Sequence, residues 1–387
     1  MSYSPPVILG WARSAVVSHG GAFKALSAHD IASPVLRALL TRVGLGPASF
    51  DAVVAGNALG AGGNPARVLA LAAGLPMRCA AFTIDTQCCA GLDAVSIAAG
   101  LISSGAASVV VAGGVEAWSR APMRLHRPMR SGEPAVPYER PAFTPDPKRD
   151  PDMLVAAARY AAQCGVTRLE QDRYAMFSHA RALAHKDDLS AEIVRVLHVD
   201  ADSCPRATTP ERVARMRAAV VAPVSFDAQQ FSLSPLAISP KADGAAFVVM
   251  ASREACDRLG LNARMAWLGG ASTGVEPDVP MLAAIEASRT ILLRCQTSIE
   301  QIAAIELHDA FAVQALSFCK AFGLDWQQLN RRGGGLARGH PIGASGAIAL
   351  VRVLEDLARD EGRGALGLAA VAGAGGIGSA AVVQRLD

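Results

Sequence analysis

Short, valine-rich apolar runs bounded by glycine or turn residues recur along the chain, at Ala52 to Ala55, Ser108 to Ala112, Ala246 to Met250 and Ala380 to Val383, with helical patterns between them. A strand that is apolar on both faces must be covered on both faces, so the alternation predicts an α/β fold with a largely buried sheet. Two helices read as partners. One begins near Cys89 and runs through Leu92, Val95 and Ala99 to Ile102; the other begins near Gly343 and runs through Ile348, Leu350, Val351 and Leu354 to Leu357. Both start in glycine-rich or small-residue turns, which let backbone approach a ligand or another helix closely. The 387 residues suffice for about two or three folding units, or for one large α/β domain.

Residues 118–241 have a different composition. Arg120, Arg124, Arg127 and Arg130 precede the proline-rich PAVPYERPAFTPDPKRDP and a helical stretch around Gln171 to His185, which reads as an insertion on the α/β body. Its arginines fit a solvated loop or a phosphate contact equally well. Across the whole chain 37 basic residues stand against 34 acidic ones, with no long run of either sign, so nothing calls for nucleic acid or an anionic membrane. No apolar run approaches the ~18 residues of a membrane helix, and MSYSPPVILGWARS lacks the pattern of a signal peptide. The eight cysteines contain no C-x-x-C pair, so they read as reduced thiols of a cytoplasmic protein, and no metal site is expected.

Two stretches carry chemistry. In Ile84-Asp85-Thr86-Gln87-Cys88-Cys89-Ala90-Gly91-Leu92 a thiol sits where an extended segment meets a helix start. A helix N-terminus carries partial positive charge, and such settings bring a cysteine from about 8.5 down to roughly 3.5–7.5. Taken alone, a cysteine here is more often a buried small hydrophobe. The second stretch is Arg332-Gly333-Gly334-Gly335-Leu336-Ala337-Arg338-Gly339-His340-Pro341-Ile342-Gly343-Ala344-Ser345-Gly346, which fixes a histidine in a tight glycine-proline turn before a helix. A ring held that way suits a general base that has to stay aimed.

With these boxes in view the chain resembles the thiolase family over almost its whole length. The resemblance rests on Gly56-Asn57 with Asn64-Pro65-Ala66-Arg67, the Cys88 box, Ala112-Gly113-Gly114-Val115-Glu116 with Ser119, Gly165-Val166-Thr167-Arg168 with Gln171-Asp172 and Ser178-His179, Thr208-Thr209, Asp243-Gly244-Ala245-Ala246, His308-Asp309-Ala310-Phe311 and the Gly339-His340-Pro341 box. It implies a five-layered αβαβα thiolase fold of two similar βα halves, residues 1–117 with 242–261 and residues 262–387, and a loop domain at 118–241 for coenzyme A binding and oligomerisation. It also implies a homodimer or homotetramer, and coenzyme A or acyl-CoA as substrate with no permanently bound cofactor. Cys88 would be the acyl-accepting nucleophile, His340 its activator, and His308 a third catalytic residue. Ser239 matches the serine that contacts the pantetheine arm, and His179 a loop-domain histidine near the same arm.

Four positions depart from the family pattern. The terminal Cys-x-Gly-Gly-Gly-x-Gly turn, whose cysteine moves the α-proton, is Ala372-Gly373-Ala374-Gly375-Gly376-Ile377-Gly378. The Asn-Glu-Ala-Phe box is His308-Asp309-Ala310-Phe311, as in sterol-carrier-type thiolases but without the cysteine those carry after His-Asp. The Met-Gly-x-Gly-Pro loop of the acyl pocket is Pro280-Met281-Leu282-Ala283-Ala284, and Ala-Gly-Asn before the coenzyme serine is Pro235-Leu236-Ala237. Three explanations of Ala372 stand at this level: a deliberate Cys→Ala replacement, supply of the proton by Cys89 or His308, or loss of CO₂ from a malonyl thioester, which needs no base. The functional readings are correspondingly a thiolase-like acyltransferase forming or cleaving a carbon–carbon bond, a decarboxylative ketosynthase-like condensing enzyme, and a coenzyme A-binding scaffold.

Overall fold

The computed structural model describes residues 5–60, 62–221 and 228–387. Its core is one structural pattern used twice. The first half contains β1 (Val7–Ser14), α1 (Ala28–Arg42), β2 (Ala52–Gly56), β3 (Ala80–Ile84), α2 (Ala90–Ser103), β4 (Val109–Ala117) and β5 (Ala242–Ala251). Between β4 and β5 lie a small hairpin, Arg124–His126 with Val136–Tyr138, and the helices α3 (Met153–Cys164) and α4 (Arg168–Ala184). The second half contains β6 (Met265–Gly274), α5 (Ala283–Arg294), β7 (Ile302–His308), α6 (Ala312–Phe322), α7 (Ser345–Asp360), β8 (Leu366–Gly373) and β9 (Ile377–Arg385). In both halves the last two strands pair antiparallel. In the second half three residues join them, whereas in the first half residues 118–241 occupy the same corner.

The strands run in the order β3-β2-β4-β5-β1 and β7-β8-β9-β6, joined by a short antiparallel contact of Val7 with Ala266 and Ile8 with Met265. The layers follow from which face each apolar set covers. Ile31, Val35 and Leu39 of α1 pack with Val53, Val111 and Val249 on the outer side of the first sheet. Leu92 and Val95 of α2 and Ile348, Val351 and Leu354 of α7 fill the space between the sheets, against Val110, Val248, Val371 and Val383. Ile285 and Ile291 of α5 and Phe318 of α6 cover the outer side of the second sheet with Leu307, Leu368 and Val382. The result is the five-layered αβαβα arrangement.

Small residues set how close α2 and α7 come. A Cβ on Gly91 would lie 2.8 Å from the Gly343 carbonyl oxygen and 2.9 Å from the Ala347 Cβ, so only glycine permits this crossing. The insertion is tied to both halves by buried charges. Glu192 meets Arg13 of β1 and Arg352 of α7, and Arg13 also grips Asp202 with two N–H groups at 2.7 and 2.9 Å. Burial alone would discourage these ions; the opposing charges keep the Glu192 and Asp202 carboxyls below their ordinary values. No helix among the described residues is long and apolar enough to cross a membrane, and all eight cysteines are free thiols.

Candidate active site

The end of β3 leads into the turn that carries Cys88. Gln87 takes a left-handed backbone conformation, φ 53°, which is uncommon for a residue with a Cβ. Asp85 Oδ1 supports it by accepting from the Gln87 backbone N–H at 3.0 Å and its side-chain amide at 3.1 Å. After this turn Cys88 faces a cavity of about 570 Å³ that it shares with His340, Ser239, Ala372 and Ala374. Cys89, the next residue round the helix start, sinks into the core at 1% exposure, its Sγ directed at the carbonyls of Val371 and Ile377 at 3.7 and 3.8 Å. The structure therefore removes Cys89 from the candidates for the α-proton base.

His340 is held from three sides. Its backbone N–H donates to the Pro240 carbonyl at 2.8 Å, its Nε2 lies 3.1 Å from Cys88 Sγ, and its Nδ1 lies 2.8 Å from Ser345 Oγ. Ser345 has a single hydroxyl proton and donates it to the Pro341 carbonyl at 3.1 Å. Ser345 Oγ must therefore accept from Nδ1–H, which leaves the Nε2 lone pair facing the thiol. This hydrogen-bond chain sets the tautomer a general base needs.

Burial decides the charge state of the pair. The Cys88 thiol is pushed up to about 12 by loss of water, only partly offset by the backbone N–H groups of Ala374 and of Cys88 itself. This direction is opposite to the lowering expected from a helix start, because loss of water disfavours the charged thiolate. Burial also pulls His340 down to about 4. A raised thiol and a lowered imidazole mean S–H and neutral imidazole throughout the interval between those values.

His308, at the end of β7, stacks on His340 with ring centroids 4.5 Å apart and planes at 26°. Its basicity falls well below the ordinary value, first through burial and then through His340 and Arg338. Its Nε2 is sealed from solvent and unpaired among the described residues, and the ring is not on the cavity wall. His308, for which a third catalytic role was expected, thus stands against His340 at 4% exposure, with a ring nitrogen that has no partner among the described residues. Gly335 makes room for it, since a Cβ there would come 2.7 Å from the His308 ring.

Ser239 lines the cavity and donates its hydroxyl to the Gly335 carbonyl at 2.5 Å, so its lone pairs are available to a ligand. The structure does not bring His179 there. That ring is 1% exposed, its Nδ1 accepts from the Arg206 N–H at 3.3 Å, and it is not on the wall. Of the insertion's arginines, Arg124 and Arg140 reach the cavity, and Arg124 donates to the carbonyls of Ala58 and Leu59 at 3.2 and 2.9 Å. Met281 is on the wall as well, adding side-chain volume to the acyl pocket. No group of three or more His, Cys, Asp or Glu side chains among the described residues is arranged to hold a metal ion.

Glu116, at the end of β4, had no role assigned from the sequence, although it closes a glycine-rich box. It accepts from Asn57 Nδ2 at 2.8 Å, from the N–H of Ala58 at 3.0 Å and Leu59 at 3.4 Å, and from the Gly343 N–H at 3.0 Å. Burial raises its carboxyl to about 7 despite those donors. Through it the cavity lip at 57–59 and the turn after His340 are locked together. Gly114 permits this closeness, because a Cβ there would lie 2.0 Å from the Gly343 carbonyl oxygen. Gly114→Ala is expected to lower stability by roughly 1–3 kcal/mol and shift the His340 turn, read as a lower melting temperature together with slower acylation.

A half-buried thiol on a cavity wall, held against the free lone pair of a fixed imidazole, is the equipment of an acyl-transferring enzyme with a cysteine nucleophile. The comparisons with known proteins specify which. Residues 6–254 match the thiolase N-terminal domain and residues 262–385 the thiolase C-terminal domain. The chain is 35% identical to an acetyl-CoA acetyltransferase of Thiocystis violacea over 98% of its own length and 99% of that relative. Among solved structures, the acetyl-CoA acetyltransferase of Bacillus anthracis superposes with a TM-score of 0.90 at 31% identity, covering 99% of both chains. A thiolase from Ascaris suum in complex with coenzyme A gives 0.90 at 29% identity, covering 99% of this chain and all of that one. The chain belongs to the thiolase family. It is an acyltransferase of acyl-CoA Claisen chemistry, and these relationships favour that activity over the decarboxylative and scaffold alternatives.

Proposed function

We propose that Cys88 carries the acyl group, that His340 is its base, and that the Claisen step proceeds without the family's usual second cysteine. The 3.1 Å contact between Cys88 Sγ and His340 Nε2, with the tautomer set by Ser345, carries this reading. As Sγ bonds to the thioester carbon, its proton passes to Nε2, and the oxyanion that forms is met by the N–H groups of Cys88 and Ala374. Collapse breaks the bond to the coenzyme A sulfur, His340 returns the proton to that thiolate, and S-acyl Cys88 remains beside a neutral imidazole. Residues 118–241 with Ser239 hold the pantetheine arm along the cavity in this scheme.

The second half-reaction has to remove an α-proton from another acyl-CoA before its carbon attacks the acyl-cysteine. Ala372 offers no base, Cys89 is turned into the core, and His308 is sealed behind His340. His340, neutral again once coenzyme A has left, is the base in contact with the acylated residue, and proton abstraction is the slow step.

Mixing the protein with an acyl-CoA should release about one coenzyme A per chain in a fast phase before any carbon–carbon product accumulates. Because the thiol–imidazole pair stays neutral between about 4 and about 12, the rate of that phase should be flat from pH 6 to pH 9. A rate climbing through pH 8.5 with no plateau would point to a free thiolate and contradict the scheme.

A further inference from the structure

The cavity wall formed by the end of the α5 lead-in and the start of α6 is apolar, built from Pro280, Met281 and Phe311, with one exception. Gln314, in the first turn of α6, faces the same cavity while only 4% of it is exposed. Its orientation is fixed. Oε1 accepts from the backbone N–H of Ala310 at 3.0 Å and of Phe311 at 3.4 Å, and since both partners are donors, the oxygen has to be on that side. The amide nitrogen is then turned the other way. It donates to no acceptor among the described residues, and it is not one of the polar atoms sealed from solvent.

Water can accept from this amide N–H₂ while the cavity is open, but a ligand that fills the cavity displaces the water and leaves the group unsatisfied unless the ligand accepts from it instead. Ligand sites use few polar groups of this kind, and those few set orientation and selectivity. In the scheme proposed above the thioester oxygen does not need it, being met by the N–H groups of Cys88 and Ala374. Gln314 is neutral, and the cavity cations are engaged elsewhere, Arg140 by Asp150 and the Pro151 carbonyl, Arg124 by the carbonyls of Ala58 and Leu59, and Lys241 over the Trp118 ring at 5.0 Å, which argues for an uncharged acceptor rather than a carboxylate. We infer that Gln314 Nε2 is a specificity group that donates to a keto, hydroxyl or amide oxygen carried on the acyl chain beyond the thioester. The preferred acyl-CoA is therefore an oxygenated one, not a plain alkanoyl-CoA. This rests on the site proposed above and deepens it.

The test uses the whole protein and pairs of acyl-CoAs matched in length, one member with a hydroxyl or oxo group at C4, C5 or C6 and the other without, with acylation of Cys88 followed by release of coenzyme A. At least one oxygenated member should exceed its plain partner in kcat/KM by roughly fivefold or more. Gln314→Glu keeps an oxygen for the Ala310 and Phe311 N–H groups but has no N–H to offer, so it should reduce that ratio to one or below. Equal rates within every pair for the unaltered protein overturn the inference even if the variant does not fold, and leave the role of Cys88 standing. A ratio preserved in Gln314→Glu also overturns it. Absence of acylation by every acyl-CoA would overturn both this and the reading beneath it.

Discussion

His340→Ala is expected to slow acylation of Cys88 by about 10²- to 10⁴-fold. Loss of water pushes the thiol up to about 12, so almost none of it is thiolate near neutrality, and attack depends on an imidazole that takes the proton as the carbon–sulfur bond forms. Without that ring the residual rate should follow the thiolate fraction and rise nearly tenfold per pH unit from pH 7 to pH 9. The unaltered protein, whose pair is neutral across that range, should show no such slope. Water admitted to the vacated space will lower the thiol somewhat, which favours the smaller end of the range. Stopped-flow release of coenzyme A across pH separates the two profiles, and a flat profile in the variant would mean that His340 is not the base.

Ala372→Cys is expected to act in the opposite direction on the other half-reaction. Ala372, one residue before the end of β8, is on the cavity wall in register with Gly378 and is the smallest chiral side chain that position can hold. A thiol there adds a second acid/base group beside S-acyl Cys88. Such a group is worth about 10²- to 10⁴-fold in proton transfer. The rate of 3-oxoacyl-CoA formation or thiolysis should rise by that order, with the fast release of coenzyme A as the internal reference for the first step. An unchanged rate of carbon–carbon chemistry would show that the α-proton already leaves by an efficient route.

The α/β class with its buried sheet was legible because its signals are local, while the five layers came from the family resemblance. The run of β4 is apolar on both faces, and α2 and α7 announce themselves through glycine-rich starts followed by helical periodicity. Each of Cys88 and His340 could be singled out from its own turn, whereas their pairing came from the resemblance to the thiolase family. What escaped depends on rotation and on distance in sequence. Cys88 and Cys89 are adjacent letters, yet the turn at Gln87 sends one to the cavity and the other to the core. Whether burial or the helix terminus governs the Cys88 thiol depends on how completely water is excluded, which composition does not encode. His308 lies behind His340 only because β7 and the His340 turn converge, and His179 lies off the wall because α4 packs it inward. The ties of Glu192 to Arg13 and Arg352 span residues far apart in the chain, as do those of Glu116 to Asn57 and Gly343. Ser345 could have been found, since a serine just after a histidine turn is a natural partner for Nδ1.

The central claim is that Cys88 becomes acylated. Proteolytic digestion and mass spectrometry after brief incubation with an acyl-CoA should show the acyl mass on the peptide carrying Cys88, localised to that residue and absent from Cys88→Ala. An adduct on Cys89 or any other residue, or none with any acyl-CoA, would contradict the account.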